Sequence, residues 1–136
     1  MYIDPTRAQF DVFKALPRDV PVNMLNLVLL HDEVTLEDGR TLSGAEAYKA
    51  YGAESASVFK KVGGEIVWRG EPQPELIGPS EEHWDIAFIA RYPTVGAFWQ
   101  MITDPAYAEA LPLRQAAVAD SRLIPMTDTE SGNTFA

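Results

Sequence analysis

The chain has 136 residues, 46% hydrophobic and 23% charged, which suits one soluble globular domain with its own core. Its formal net charge is −9, from 11 Lys and Arg against 20 Asp and Glu, so it is a poor match for a nucleic-acid backbone or an anionic membrane surface. It holds no cysteine, which removes disulfides, thiolate nucleophiles and thiolate zinc sites together.

The opening residues MYIDPTRAQF lack the continuous apolar run of a signal peptide, so a cytoplasmic location is the expectation. Asp4-Pro5 reads as an N-cap followed by proline at the first helical position. A short amphipathic helix is predicted within residues 4–16, with Phe10 and Phe13 three apart and Val12 beside them. Pro17 and Pro21 end it. The next stretch, VNMLNLVLL at residues 22–30, is too short for a bilayer span, which takes about 20 apolar residues. Its length, its β-branched content and the His31-Asp32 that closes it predict a strand. Alternation puts Val22, Met24, Asn26, Val28 and Leu30 on one face and Asn23, Leu25, Leu27 and Leu29 on the other. Both faces are apolar, so both need cover.

HDEVTLEDGRTL follows, a small hairpin or a loop with Asp38-Gly39 as its turn signal. Ser43-Gly44-Ala45-Glu46 matches a capping box. It opens a helix predicted over residues 44–62, whose apolar face carries Tyr48, Tyr51, Val58, Phe59 and Val62. Gly52 sits at the edge of that face, where a glycine costs roughly 1 kcal/mol against alanine. Gly63 is a natural residue to end the helix, and Gly64 turns the chain into a second strand, EIVWR.

Residues 70–82 carry three prolines and break the pattern. The third strand is predicted at residues 84–92, with Trp84, Ile86, Phe88, Ala90 and Tyr92 as the face beneath the helices. Thr94 caps a helix over residues 95–102. Asp104-Pro105 repeats the cap-plus-proline signature and restarts a helix that Pro112 is expected to interrupt. Residues 121–126 read as a fourth strand, and residues 127–136 as a loose polar tail.

Leaving aside the first helix, the order strand, helix, strand, strand, helices, strand is the split βαβ pattern repeated. It predicts one α+β, ferredoxin-like βαββαβ domain over residues 1–136, with its core in 22–126 and its helices on one face of an antiparallel sheet. The other face would be apolar and bare, which a soluble monomer rarely tolerates. A homodimer packing sheet against sheet removes the problem, with roughly 800 Å² buried per partner.

The strand MLNLVLL, the helix with Tyr48 and Tyr51, Gly63-Gly64 before a strand ending Trp68-Arg69-Gly70, Asp104-Pro105-Ala106-Tyr107 and the following Arg114 together resemble the domain-of-unknown-function family DUF1330. The resemblance runs roughly over residues 22–126; the proline-rich stretch 70–82 is a departure. It implies the dimeric α+β barrel superfamily, in which two ferredoxin-like subunits press their sheets together. Relatives at that distance include cofactor-free monooxygenases, haem-binding or haem-degrading enzymes and lactone isomerases. The family itself carries no established activity.

Several residues are candidates for chemistry. Asn23 and Asn26 interrupt an apolar strand on opposite faces, and a buried amide must be hydrogen-bonded. Each either satisfies a neighbouring loop or orients a ligand, and Asn26 is the better candidate. Arg69, Arg91 and Arg114 either pair with the abundant carboxylates or fork onto a ligand carboxylate. Arg114 is favoured because the resemblance includes it. Asp104 reads as a helix cap. Tyr51, Trp68 and Tyr107 are either core or the walls of a pocket for a flat or hydrophobic molecule. His31 and His83 lack metal-ligand spacing, so no metal is expected; no nucleophile, P-loop or dinucleotide motif is present.

The expected function is binding of a small hydrophobic or aromatic molecule between sheet and helices, at Asn26, Tyr51, Trp68, Arg69, Tyr107 and Arg114. Any chemistry would be acid–base or monooxygenase-like, without a cofactor. The alternative is a non-catalytic dimeric binding or stress-associated module.

Overall fold

Strand β1 (Val22–Leu30) is central. In the computed structural model, which describes residues 1–136, it lies between β5 (Ile86–Tyr92) and β6 (Val118–Met126), antiparallel to both. Strand β4 (Glu65–Gly70) completes a sheet of order β4-β5-β1-β6. This is the ferredoxin-like order: each βαβ unit crosses over one strand, and every neighbour is antiparallel.

Helix α1 (Arg7–Lys14) is capped by Thr6, not Asp4. The Thr6 hydroxyl accepts from the Gln9 amide at 3.1 Å while the Gln9 side chain accepts from the Thr6 amide at 2.9 Å. That reciprocal box satisfies two orphan donors, which the Asp4-Pro5 pair could not do. The Asp4 carboxylate accepts instead from Gln115. The stretch after β1 forms a hairpin of β2 (Glu33–Thr35) and β3 (Thr41–Ser43), turning at Gly39 with φ +88°. Helix α2 (Gly44–Lys61) carries the expected Ser43–Glu46 box, and Gly63 after it takes φ +85°, where a side chain would be strained.

Helix α3 (Val95–Ile102) begins at its Thr94 cap. Helix α4 (Pro105–Ala117) runs unbroken through Pro112, against expectation. A proline inside a helix costs about 3 kcal/mol. Tyr107 and Ala110 are buried on one side of it and Ala117 on the other, and that packing holds the helix together. Strand β6 starts three residues earlier than predicted, with a register shift opposite Leu29/Leu30.

Helices cover the face of β1 that carries Val22, Met24 and Val28. Val22 and Met24 pack with Ala90 and Tyr92 beneath Val58, Val95, Met101 and Tyr107. The other face carries Leu25, Leu27 and Leu29. One row crosses all four strands there: Trp68, Ile89, Leu25 and Ile124. Trp68 is 52% and Ile124 45% exposed. Trp84 belongs to this side as well, not under the helices: it lies outside β5 and its ring stacks on Arg122, which is in register with Leu27.

Candidate functional site

Asn26 is a weak point in the cover over β1. Its neighbours on the helix face, Met24 and Val28, are 2% and 1% exposed, whereas Asn26 is half-buried. Register places a polar and aromatic row across the sheet at this level: Arg69, Phe88, Asn26 and Leu123. Leu123 is 41% exposed although it faces the helices. The Asn26 amide donates to the Met24 carbonyl of its own strand at 3.1 Å. The Arg69 guanidinium lies 5.9 Å from the centre of the Phe88 ring, a cation–π contact.

Two helices wall this row. Tyr48, Tyr51 and Ser55 recur at helical spacing along α2, and Tyr107 and Arg114 stand two turns apart on α4, so each set lines one stripe. The stripes meet where the Tyr51 and Tyr107 hydroxyls share a hydrogen bond of 2.9 Å, their rings edge to face. Tyr48 stacks at a tilt against Tyr51, with centroids 5.5 Å apart. Burial pushes the Tyr48 phenol up to about 12, while the positive charges of Arg114 and Arg69 pull it the other way. Burial raises Tyr51 further, reinforced by Tyr107. Burial also raises Tyr92, beneath them. Tyr48, Tyr51 and Tyr92 are therefore neutral at physiological pH. Tyr48 and Tyr51 can donate a hydrogen bond to a ligand oxygen, whereas the buried Tyr92 hydroxyl donates to the Met101 sulfur; none of them is a base.

Arg114 donates to the Ile3 carbonyl at 2.6 Å and to the Ser121 hydroxyl at 3.4 Å. Arg91 lies on the opposite face, paired with Asp128 at 3.0 Å and bonded to Asn23 at 3.2 Å. Asp104 caps α4, accepting from the Ala106 amide, and that bond chiefly holds its carboxyl below the usual range.

Of the residues singled out in the sequence, Asn26, Arg69, Tyr51, Tyr107 and Arg114 come together on the helix face. Trp68 does not. A bulge between Ile66 and Trp68 turns its side chain to the far face. Tyr48, three residues before Tyr51 on the same helical stripe, joins this group by stacking on Tyr51. His31 and His83 are exposed near the end of the sheet where Asp85 accepts from the Leu30 amide. No group of three or more His, Asp or Glu that could hold a metal gathers anywhere. Two surface pockets lie elsewhere, one of about 300 Å³ in the 72–84 loop and one of about 510 Å³ beside Phe10 and Trp99.

Sheet order and helix placement define a ferredoxin-like α+β protein. The chain belongs to the family described as Domain of unknown function (DUF1330), which it matches over residues 40–126. It is similar to the RPA0582 protein of Rhodopseudomonas palustris, described as of unknown function: one crystal structure, of the methylated protein, is 51% identical over 97% of this chain and 98% of that one, with a TM-score of 0.92. More distant likeness extends to a dimeric Bacteroides fragilis protein of unknown function and ferredoxin-like fold, 15% identical over 82% of this chain and 100% of that one, TM-score 0.50. It extends also to SnoaB, a cofactor-independent oxygenase from Streptomyces nogalater, 17% identical over 82% of this chain and 96% of that one, TM-score 0.52. At such identities the likeness is one of fold. No functionally curated protein matches. No helix is long and apolar enough to cross a membrane.

Proposed function

We propose that this protein is a homodimeric α+β barrel that binds a small hydrophobic or aromatic molecule between the helix face of its sheet and helices α2 and α4. The observation that carries the reading is the hydroxyl cluster. One of the Tyr51 and Tyr107 hydroxyls donates to the other, so the accepting hydroxyl keeps its own hydrogen for a ligand. Phe88 and the tyrosine rings supply apolar walls, and Asn26 supplies a polar point on the floor, the composition expected of a small-molecule site. Any chemistry here would be cofactor-free. Neutral tyrosines and two arginines can polarise a carbonyl or steady a developing oxyanion, and the oxygenase of similar fold makes that a reasonable class to test. Trp68, on the far sheet face, belongs to the apolar row that would meet a second copy, which supports the dimer.

Thermal stabilisation against aromatic acids, lactones and haem tests the reading. Binding should raise the melting temperature of the wild type, and Arg114→Ala and Asn26→Ala should abolish the shift. A shift that survives both changes places the ligand elsewhere. If no ligand shifts the wild type, the non-catalytic alternative gains.

A further inference from the structure

Among the half-buried arginines, Arg114 is set apart by what it touches. Arg91 and Arg122 are buried to a similar degree, and both hold carboxylates: Arg91 has Asp128 at 3.0 Å, and Arg122 has Asp120 at 2.9 Å. The chain offers 20 acidic side chains to 11 basic ones, so carboxylate partners are plentiful. Arg114 nevertheless meets only neutral acceptors, the Ile3 carbonyl at 2.6 Å and the Ser121 hydroxyl at 3.4 Å. Its fork of donors suits a planar anion better than a single carbonyl oxygen.

The carbonyl it holds belongs to an N-terminal strap. Residues 1–5 take part in neither helix nor sheet. Their backbone is tied down by side chains. The Tyr2 amide donates to Asp120 at 2.9 Å, the Ser121 hydroxyl donates to the Tyr2 carbonyl at 2.7 Å, and Gln115 donates to the Asp4 carboxylate at 3.2 Å. The Tyr2 ring rests on the Arg122 guanidinium. Such ties open one at a time, at little cost to the core. The strap also ends where the cleft begins, because Arg114 stands two turns from Tyr107 on the same stripe of α4. The charge of Arg114 is felt at both Tyr48 and Tyr51.

We propose that the ligand of this cleft is a carboxylate on an apolar or aromatic skeleton, that its carboxylate takes Arg114 from the Ile3 carbonyl, and that residues 1–5 are released as it binds. The proposal rests on the cleft reading given above and adds the charge of the ligand and the strap that competes with it. A charge-assisted, two-pronged contact replaces a one-pronged neutral one. The skeleton lies against Phe88 and the tyrosine rings, and Arg69, which has no carboxylate partner, adds a second positive charge at the far end of the row. The strap therefore acts as a weak internal competitor: affinity is lowered by the fraction of molecules in which it is docked.

The test uses benzoate and its neutral counterpart benzyl alcohol, titrated by calorimetry into the whole chain, a variant lacking residues 1–4, and Gln115→Ala, which loosens the strap without touching Arg114. Benzoate should bind about tenfold more tightly without the strap, a difference of about 1.4 kcal/mol. Gln115→Ala should move benzoate affinity the same way by a smaller factor. Benzyl alcohol should bind all three equally, and the Tyr2 amide should lose its exchange protection as benzoate saturates the whole chain. Equal benzoate affinity in all three forms overturns the proposal. So does a Tyr2 amide that stays protected in the saturated complex. If benzyl alcohol binds and benzoate does not, the carboxylate and the strap fall while the cleft stands. If neither probe binds any form, the cleft falls with them.

Discussion

The hydroxyls of Tyr51 on α2 and Tyr107 on α4 lie 2.9 Å apart and share a single hydrogen bond between the two helices. A bond between two half-buried neutral groups contributes about 1 kcal/mol, and leaving one partner unsatisfied costs about as much again. Tyr51→Phe and Tyr107→Phe should each lower the unfolding free energy by about 1 kcal/mol or slightly more. The double variant should be no less stable than either single one, because the second change removes a hydroxyl already orphaned. Urea unfolding of the four proteins measures this cycle; additive losses would mean that the two hydroxyls act independently.

Alkaline pH should weaken the fold through the same cluster. Tyr48 is raised to about 12 from an ordinary 10.0, so the folded state favours the protonated phenol. That contribution is fully present below pH 10.0, the unfolded value, and is lost as pH rises through about 12. Tyr51 and Tyr92 are raised as well, chiefly by burial, and act in the same direction. The near-ultraviolet tyrosinate signal of these three should emerge together with loss of circular dichroism. Tyr48→Phe should flatten the stability loss in this window; an unchanged loss would remove Tyr48 from the account.

Acid should act at the other end of the chain. The Arg91 guanidinium, through its hydrogen bonds first and its charge second, holds the Asp128 carboxyl below the usual carboxylate range. A lowered carboxylate contributes stability above its unfolded pKa and loses it as pH falls through the folded one. Because the pair is exposed, its effect on global stability is small, but it ties residue 128 to β5 and, through Asn23, to β1. Amide protection around Asp128, taken relative to the intrinsic exchange rate at each pH, should fall as pH drops below the usual carboxylate range. Arg91→Gln should produce the same loss of protection at neutral pH. Exchange that is unaffected by Arg91→Gln would show that the tail is held elsewhere.

The apolar row of Trp68, Ile89, Leu25 and Ile124 should mark the contact between two copies. Leu25→Asp puts a charge at its middle, where a dimer would have to bury it unpaired. The wild type should sediment as a dimer and the variant as a monomer with an unchanged circular dichroism spectrum. A wild type that sediments as a monomer would dispose of the barrel.

Much of this molecule is written locally. The ends of β1, the Ser43–Glu46 box, the Thr94 cap and the turn at Gly63 depend on residues within a few positions of each other, and local chemistry settles them. Asn26 stood out for a local reason too, as an amide in an apolar strand. Most of the misjudged points have a different origin. Pro112 is a helix breaker by its own chemistry, yet burial on both sides keeps it inside α4. Thr6 displaces Asp4 as the cap through its box with Gln9, a local signal that the Asp4-Pro5 pair masked, and the Asp4 carboxylate goes to Gln115, more than a hundred residues away. Arg114 could be expected to find one of many acids, and only the folded chain leaves it with a carbonyl.

What the sequence determined by itself is the set of elements, their order and the two faces of the central strand, because the periods of helix and strand are fixed by backbone geometry. Which end-of-strand side chain looks toward the helices was decided by the tertiary structure. One extra residue in β4 between Ile66 and Trp68 exchanges the faces of everything after it, sending Trp68 to the bare side and Arg69 over Phe88. Alternation along β4 alone allows either outcome; pairing with β5 selects one, since a strand's faces are set by its partner's register.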